Sequence, residues 1–251
     1  MDPITTDLLC TLVAVAAVAG FVDAVAGGGG LLALPALLWA GLPPVQALAT
    51  NKLQGTFGTL TSSSHFVRHG HADLRALAPA IALTFVGAAA GTLLVQRLDS
   101  QFLARLVPLL LLGFAGYFLL APRLRRREPH QRIGLPAFAL LIGTGVGFYD
   151  GFFGPGTGTF FAAGFVLLLG YDLTRATAGT KILNFTSNVA SLLFFAAAGE
   201  VVWSIGLAMG LAQVAGATLG ARMVVRHGAR LIRPLLVAVS VALSLKLLLE
   251  P

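Results

Sequence analysis

The sequence predicts an all-α polytopic membrane protein built from two inverted repeats, with about eight full spans and two broken, glycine-rich helices. Three observations lead to this prediction: an apolar composition, a series of long uncharged stretches, and a segment that occurs twice. Of the 251 residues, 57% are hydrophobic and 11% are charged, whereas a soluble domain typically carries about 25% charged residues. This composition excludes a disordered chain, a nucleic-acid-binding domain and an ordinary cytosolic enzyme.

Uncharged stretches of membrane-spanning length mark the full spans. A transmembrane helix needs about 20 mostly apolar residues, and a further stretch at 234–245 qualifies if Lys246 extends from a helix end to the membrane surface. Two other regions are interrupted by glycines at positions 27–30 and 154–158. The piece after each interruption, about 13 residues, is too short to span, so we expect broken or re-entrant helices there. The stretches that qualify outright are residues 76–96, 106–122, 182–199 and 201–221.

An internal repeat relates the two glycine interruptions. Residues 20–23 (GFVD) align with residues 147–150 (GFYD) at an offset of 127, and after a two-residue insertion Lys52 falls on Lys181 at an offset of 129. A duplicated membrane unit is typical of secondary transporters, which bind substrate where the repeats meet. The second offset also relates four glycines that we assign to close helix packing, namely Gly87, Gly91, Gly216 and Gly220.

Basic residues orient the two repeats across the membrane. The five arginines in residues 123–132 are predicted to lie in the cytoplasm by the positive-inside rule. Counting spans from there puts the basic loops at 68–75 and 226–233 on the same side, before the fourth segment of one repeat and after that of the other. This exchange implies inverted topology. The predicted organisation is a first transmembrane repeat at residues 1–121, a basic cytoplasmic linker at 122–133 and a second transmembrane repeat at 134–251.

Four charged residues interrupt otherwise apolar segments: Asp23 and Lys52 in the first repeat, Asp150 and Lys181 in the second. A charge in hydrocarbon costs roughly 2.5–3.5 kcal/mol even on a lenient scale, so each needs a partner or a water-filled cavity. Two interpretations stay open and can coexist. The residues form buried salt bridges that hold the repeats in register, or they form a substrate and proton site in which Asp23 and Asp150 act in coupling or gating.

The glycine interruptions favour a site for a small anion. The helix N-terminus after each one exposes backbone N–H groups and carries about half a positive charge. We expect these two ends to face each other deep in the membrane, where the lysines add two full positive charges. We predict no catalytic residue, metal ligand or cofactor. The predicted substrate-binding residues are Gly28, Gly29, Gly30, Thr50, Asn51, Lys52 and Gln54 in the first repeat, and Gly156, Thr157, Gly158, Thr180, Lys181, Asn184 and Asn188 in the second.

Elements in both repeats carry a family resemblance. They are residues 23–30 (DAVAGGGG) and 49–54 (ATNKLQ) in the first repeat, and residues 147–158 and 180–185 (TKILNF) in the second. These residues resemble the sulfite exporter TauE/SafE family of membrane permeases over nearly the whole chain. The resemblance implies a multi-pass permease of the bacterial inner membrane that moves sulfite, an organosulfonate or another small anion. The second repeat has GTK where the first has TNK, so the half-sites differ.

The expected function is secondary transport by alternating access, with coupling to protons or to the membrane potential as the working hypothesis. The chain lacks the nucleotide-binding motif Gly-x-x-x-x-Gly-Lys-Ser/Thr, so transport driven by ATP would need a partner. The expected partners are the small anionic substrate and the lipid bilayer, without nucleic acid, and the sequence is compatible with a homo-oligomer.

Two other function classes stay open. A membrane scaffold would use the same fold without transport. An intramembrane aspartyl protease would use Asp23 and Asp150 as a carboxylate pair that shares a proton. Against the protease, both aspartates follow Gly-Phe-x rather than Gly-x-Gly, and each repeat also carries a lysine.

Overall fold

In the computed structural model, which describes residues 6–120 and 130–227, every element of regular structure is a helix. The all-helical part of the predicted fold class is therefore confirmed. Most of the basic linker at 122–133, most of the basic loop at 226–233 and the apolar stretch at 234–245 lie outside the described residues. The helices in the described part are α1 (Thr6–Ala26), α2 (Gly30–Trp39), α3 (Pro44–Arg68), α4 (Leu74–Val95), α5 (Ser100–Leu120), α6 (Leu135–Phe152, with a π-helical turn at Ala139–Gly143), α7 (Thr157–Leu167), α8 (Leu173–Ala197) and α9 (Trp203–His227).

Helix length and polarity divide these elements, apart from α5, into three groups. Within the described part, α1, α4, α6 and α9 are long and apolar enough to cross a membrane. α3 and α8 are each 25 residues long and bury polar side chains, whereas α2 and α7 have only 10 and 11 residues. Leu140, Leu141 and Leu211 on the outer faces are more than half exposed, as expected where lipid covers the protein. The total of eight full spans stays a prediction.

Glycine produces the two helix interruptions. Gly27, Gly154 and Gly156 have φ angles of 74°, 100° and 87°, a region that residues with a Cβ atom rarely adopt. The chain turns at these glycines, and α2 and α7 begin at Gly30 and Thr157. Both breaks predicted from the glycine runs are present.

The helix boundaries follow the internal repeat of the sequence. The first residues of α2 and α7, Gly30 and Thr157, correspond under the first offset of the repeat. The second offset relates the first residues of α3 and α8, two helices of equal length, and also those of α4 and α9. The offsets found in the sequence therefore relate helices as well as single residues.

The helices related by these offsets pack mainly across the two halves of the chain. α1 packs against α9, and the corresponding pair is α6 against α4. α3 packs against both α8 and α9, while α8 packs against α3 and α4. The two halves are interleaved rather than side by side, and α3 and α8 form their shared centre.

Small residues allow the close helix contacts predicted for the four glycines. A methyl group at Gly87 or Gly91 of α4 would collide with backbone carbonyl oxygens of α6. A methyl group at Gly216 or Gly220 of α9 would collide with backbone carbonyl oxygens of α1. The assignment of these glycines to tight packing is confirmed.

Candidate functional site

The two glycine breaks lie directly against each other. A Cβ atom at Gly27 would be 3.1 Å from the Cα of Gly158, and one at Gly30 would be 3.4 Å from the Cα of Pro155. The backbones therefore touch, which brings the first turn of α2 and the first turn of α7 to one place. The first-turn N–H groups of Leu31 and Thr157 donate to local carbonyl oxygens, those of Gly28 and Gly154. What converges here is therefore the positive ends of two helix dipoles rather than a set of free N–H donors.

The buried charges form two ion pairs that cross between the halves of the chain. Lys52 of α3 donates to Asp150 of α6 at 2.8 Å, and Lys181 of α8 donates to Asp23 of α1 at 3.0 Å. Each lysine is 2% exposed and occupies the same position along its own helix, in the third turn. These distances confirm that the four charged residues form buried salt bridges. The two full positive charges expected from the lysines are offset, because each ammonium group has a carboxylate beside it.

Asp150 is bound on both carboxylate oxygens. Its Oδ1 accepts from the Lys52 ammonium and from the Thr157 hydroxyl, at 2.8 and 2.9 Å. Its Oδ2 accepts a hydrogen bond from Ser187 of α8. Helices α3, α6, α7 and α8 therefore meet at one carboxylate, and this satisfied network fixes the Asp150 side chain.

Asp23 is held by a single side chain. Lys181 donates to its Oδ2 and also to its backbone carbonyl oxygen. Among the residues that the structure describes, none donates to Asp23 Oδ1. The Asp23 side chain is 12% exposed, compared with 3% for Asp150. This carboxylate therefore faces space that a small ligand or water can enter.

That space is a cavity of about 40 Å³ between the two breaks. A buried water needs at least about 10–15 Å³ by this measure, so the cavity has room for roughly three water molecules. Of the residues predicted to bind substrate or to act in coupling, those that line it are Asp23, Gly30, Asn51, Lys52, Gln54, Asp150, Gly156, Thr157, Gly158, Asn184 and Asn188.

Five predicted residues do not line the cavity. The Thr50 hydroxyl accepts a hydrogen bond from the backbone N–H of Val202 at 3.2 Å, so it faces α9. Thr180 is buried in α8, where its hydroxyl has no hydrogen-bond partner among the described residues. Lys181 does not line the cavity itself but donates to Asp23, which does. Gly28 and Gly29 lie in the turn itself, where Gly29 packs against the backbone of Ala19.

Residues outside the predicted set complete the lining. They are Gly27, Gly55, Thr59, Gly154 and Gln213. Thr59 contacts the Asn188 amide at 3.4 Å, and Gly55 leaves room beside the same amide. The positions of Gly55 and Thr59 could have been inferred from the repeat, because its second offset relates them to Asn184 and Asn188.

Long apolar helices, two paired helix breaks and a charge-lined cavity between them are typical of membrane proteins of the permease class. The sequence model of the sulfite exporter TauE/SafE family matches residues 12–247. The chain belongs to that family. No solved structure matches the chain.

Relatives of known sequence cover almost the full length. The chain is 47% identical over 244 residues to "Probable membrane transporter protein YfcA" of Escherichia coli (strain K12), covering 97% of this chain and 90% of the relative. It is 44% identical over 251 residues to "Probable membrane transporter protein ORF9" of Sinorhizobium sp, covering 100% of this chain and 96% of the relative. A "Probable membrane transporter protein" of Haemophilus influenzae is 43% identical over 244 residues, covering 97% of this chain and 96% of the relative.

Proposed function

We propose that this protein is a secondary transporter that moves a small anion, sulfite or a small sulfonate, across the bacterial inner membrane by alternating access. The observation that carries the proposal is the cavity between the two helix breaks, which joins helix N-termini, carboxamides, a lysine and two aspartates. The family and the relatives, which are named as probable membrane transporters, support the same function class. No catalytic role enters the proposal.

The size and lining of the cavity support a compact oxyanion. Space for roughly three water molecules suits an ion of a few heavy atoms better than an extended organic molecule. The amides of Asn51 and Asn184 are available as donors, since Asn51 uses its oxygen to accept from Gln54 at 3.1 Å. An oxyanion here would accept hydrogen bonds from these amides, and the positive ends of the α2 and α7 helix dipoles would stabilise its charge.

The crossed ion pairs support a mechanism in which the halves move relative to each other. Lys52–Asp150 and Lys181–Asp23 each join one half of the chain to the other. If one half rocked against the other, one of these contacts would be compressed while the other was stretched. Alternating access by inverted repeats around a fixed site requires such opposite changes. We assign Asp23 and Asp150 to coupling and gating, with an incoming anion competing for the lysine that each aspartate holds.

The paired lysines weigh against an intramembrane aspartyl protease. Such an enzyme needs two carboxylates that share one proton, whereas Asp23 and Asp150 each contact a different ammonium group. A non-transporting scaffold has no use for a cavity lined by buried charges. If the measurement described below finds no transport, the protease and the scaffold become the alternative functions.

The test is uptake into proteoliposomes that contain the purified protein, with radiolabelled sulfite, methanesulfonate and acetate supplied separately. We expect saturable sulfite uptake that empty liposomes lack and that Asn51→Leu reduces by about tenfold, the effect of one hydrogen bond to a charged group. The matched control is Thr61→Val, because the Thr61 hydroxyl bonds the backbone of its own helix at Phe57. If the protein carries none of the three anions, the proposal is wrong.

Coupling is tested in the same vesicles. With an inward proton gradient, we expect wild-type uptake to exceed uptake without a gradient, and Asp23→Asn to abolish this difference because its side chain cannot accept a proton. A membrane potential imposed without a pH difference separates the two driving forces. Sulfite uptake that responds to the potential and ignores the pH gradient contradicts proton coupling while leaving transport intact.

A further inference from the structure

Gln213 of α9 presents an uncommitted amide to the cavity. The residue is 3% exposed and lines the cavity, and its Oε1 is buried without a hydrogen-bond partner. No other residue in the described ranges bonds its amide nitrogen either. A buried amide without partners costs folding free energy, and an apolar side chain of equal length would avoid this cost. The Gln213 amide is therefore available to a ligand that enters the cavity.

Two glycines on neighbouring helices make the space that Gln213 occupies. A Cβ atom at Gly58 of α3 would lie 2.5 Å from the Gln213 Nε2 and 2.8 Å from its Cγ. A Cβ atom at Gly20 of α1 would lie 2.8 Å from the same Cγ. Such distances are too short for real atoms, so the side chain is confined to a slot between these glycines. This confinement aims the amide at the cavity.

The corresponding position in the other half of the chain lacks this arrangement. The second offset of the repeat relates Gln213 to Thr84 of α4, which is fully buried and does not line the cavity. The same offset relates Gly58 to Ser187, which is committed to Asp150. The uncommitted amide is thus a feature of one half-site.

We propose that Gln213 is a specificity-determining residue, which hydrogen-bonds an oxygen atom of the transported anion through its amide. The inference rests on the proposed transport function and names a contact within that site. A carboxamide supplies a donor through Nε2 and an acceptor through Oε1. Hydrogensulfite, the protonated form of sulfite, can satisfy both, because its oxygen atoms accept from Nε2 and its hydroxyl donates to Oε1. Thiocyanate has no hydroxyl and leaves Oε1 unpartnered. The Gln213 amide therefore favours sulfite over thiocyanate.

The first experiment measures the KM and maximal rate of radiolabelled sulfite uptake in proteoliposomes for Gln213→Met and wild type. We expect the KM to rise roughly tenfold, since methionine fills the slot without a hydrogen bond to the anion. The maximal rate should change much less. Gln213→Asn, which keeps the amide on a shorter side chain, should recover part of the lost affinity.

A matched control uses Gln46, another glutamine with an unpartnered Oε1, which does not line the cavity. Gln46→Met should keep the wild-type KM. Gly58→Ala supplies a second route, because the added methyl group displaces Gln213 while leaving its amide in the protein. It should also raise the KM and lower the preference for sulfite over thiocyanate.

The outcomes separate this inference from the function on which it rests. If wild type carries no anion, the proposed function is wrong and the inference falls with it. If wild type carries sulfite and Gln213→Met keeps both the KM and the preference over thiocyanate, the role of Gln213 is wrong and transport stands. If Gln213→Met does not fold, Gly58→Ala and Gln213→Asn provide the test. If both of these variants fold and keep the wild-type KM and the wild-type preference for sulfite over thiocyanate, the inference is wrong.

Discussion

The two ion pairs of the site contain the same residue types but hold their aspartates differently. Asp150 receives hydrogen bonds on both oxygens, from Lys52, Thr157 and Ser187. Asp23 receives a side-chain hydrogen bond only on Oδ2, from Lys181, and its Oδ1 has no donor in the described part of the chain. One half-site is closed around its carboxylate, and the other leaves its carboxylate partly free.

The difference follows from two positions at which the repeats have diverged. Thr157 corresponds to Gly30 under the first offset, and Ser187 corresponds to Gly58 under the second. Each hydroxyl that serves Asp150 is thus replaced by a glycine, which has no side-chain donor, in the half of the chain that holds Asp23. Duplication supplied two ion pairs of the same residue types, and divergence left the Asp23 carboxylate with fewer donors. We therefore expect Lys181–Asp23 to exchange partners more readily than Lys52–Asp150.

The largest effect should come from removing the lysines. Lys52→Ala leaves Asp150 buried without a counter-charge, which should lower the free energy of unfolding by about 3–5 kcal/mol. Lys181→Ala should cost less, because the more exposed Asp23 carboxylate can be hydrated from the cavity. Thermal unfolding in detergent measures both. Arg105→Ala, which removes an exposed cation, is the control. If Lys52→Ala and Lys181→Ala lose the same free energy of unfolding, the proposed difference between the two ion pairs is wrong.

A smaller effect is expected from Ser187→Ala, which makes Asp150 more like Asp23. Loss of a hydrogen bond to a charged group should cost about 1.5–3 kcal/mol of unfolding free energy. Ser191→Ala is the matched control, because Ser191 is buried on the same helix and its hydroxyl has no partner in the described ranges. The assignment of a binding role to Ser187 fails if both variants have the same unfolding temperature.

The smallest effect should come from giving Asp23 the missing hydroxyl. A Cβ atom at Gly30 meets its nearest neighbour, the Cα of Pro155, at an ordinary 3.4 Å. Gly30→Thr should therefore be more stable than the equally bulky Gly30→Val by about 1 kcal/mol, the net contribution of one hydrogen bond. We also expect slower sulfite uptake in Gly30→Thr than in Gly30→Val. Identical stability and uptake in the two variants would show that the hydroxyl does not reach Asp23.

The sequence indicated the breaks and the charged residues because their causes are local. Glycine runs disrupt a helix wherever they occur, and an aspartate or lysine in an apolar stretch stands out without knowledge of its neighbours. The two offsets then related Lys52 to Lys181 and Asp23 to Asp150. These features required only adjacent residues and a repeat.

The partners of those residues could not be predicted in the same way. Lys52 could pair with Asp23 of its own repeat or with Asp150 of the other, depending on how the helices interleave. The periodicity of the sequence does not show that packing. The direction of each side chain around its helix was also not evident, since Thr50 and Asn51 are adjacent in sequence, yet Thr50 faces α9 and Asn51 faces the cavity. Gln213 was visible as a polar residue in an apolar helix, but its slot is made by glycines on two other helices.

The crossed pairing also has a consequence for biogenesis. Lys52 precedes its partner by 98 residues, and Asp23 precedes its partner by 158. At synthesis rates of about 5–20 residues per second, Lys52 waits roughly 5–20 s after it is made before Asp150 leaves the ribosome. Until the later helices arrive, the Asp23 and Lys52 charges need each other or water to compensate them, since a charge in hydrocarbon is costly. A chain halted after its first half carries two charges whose final partners have not been synthesised.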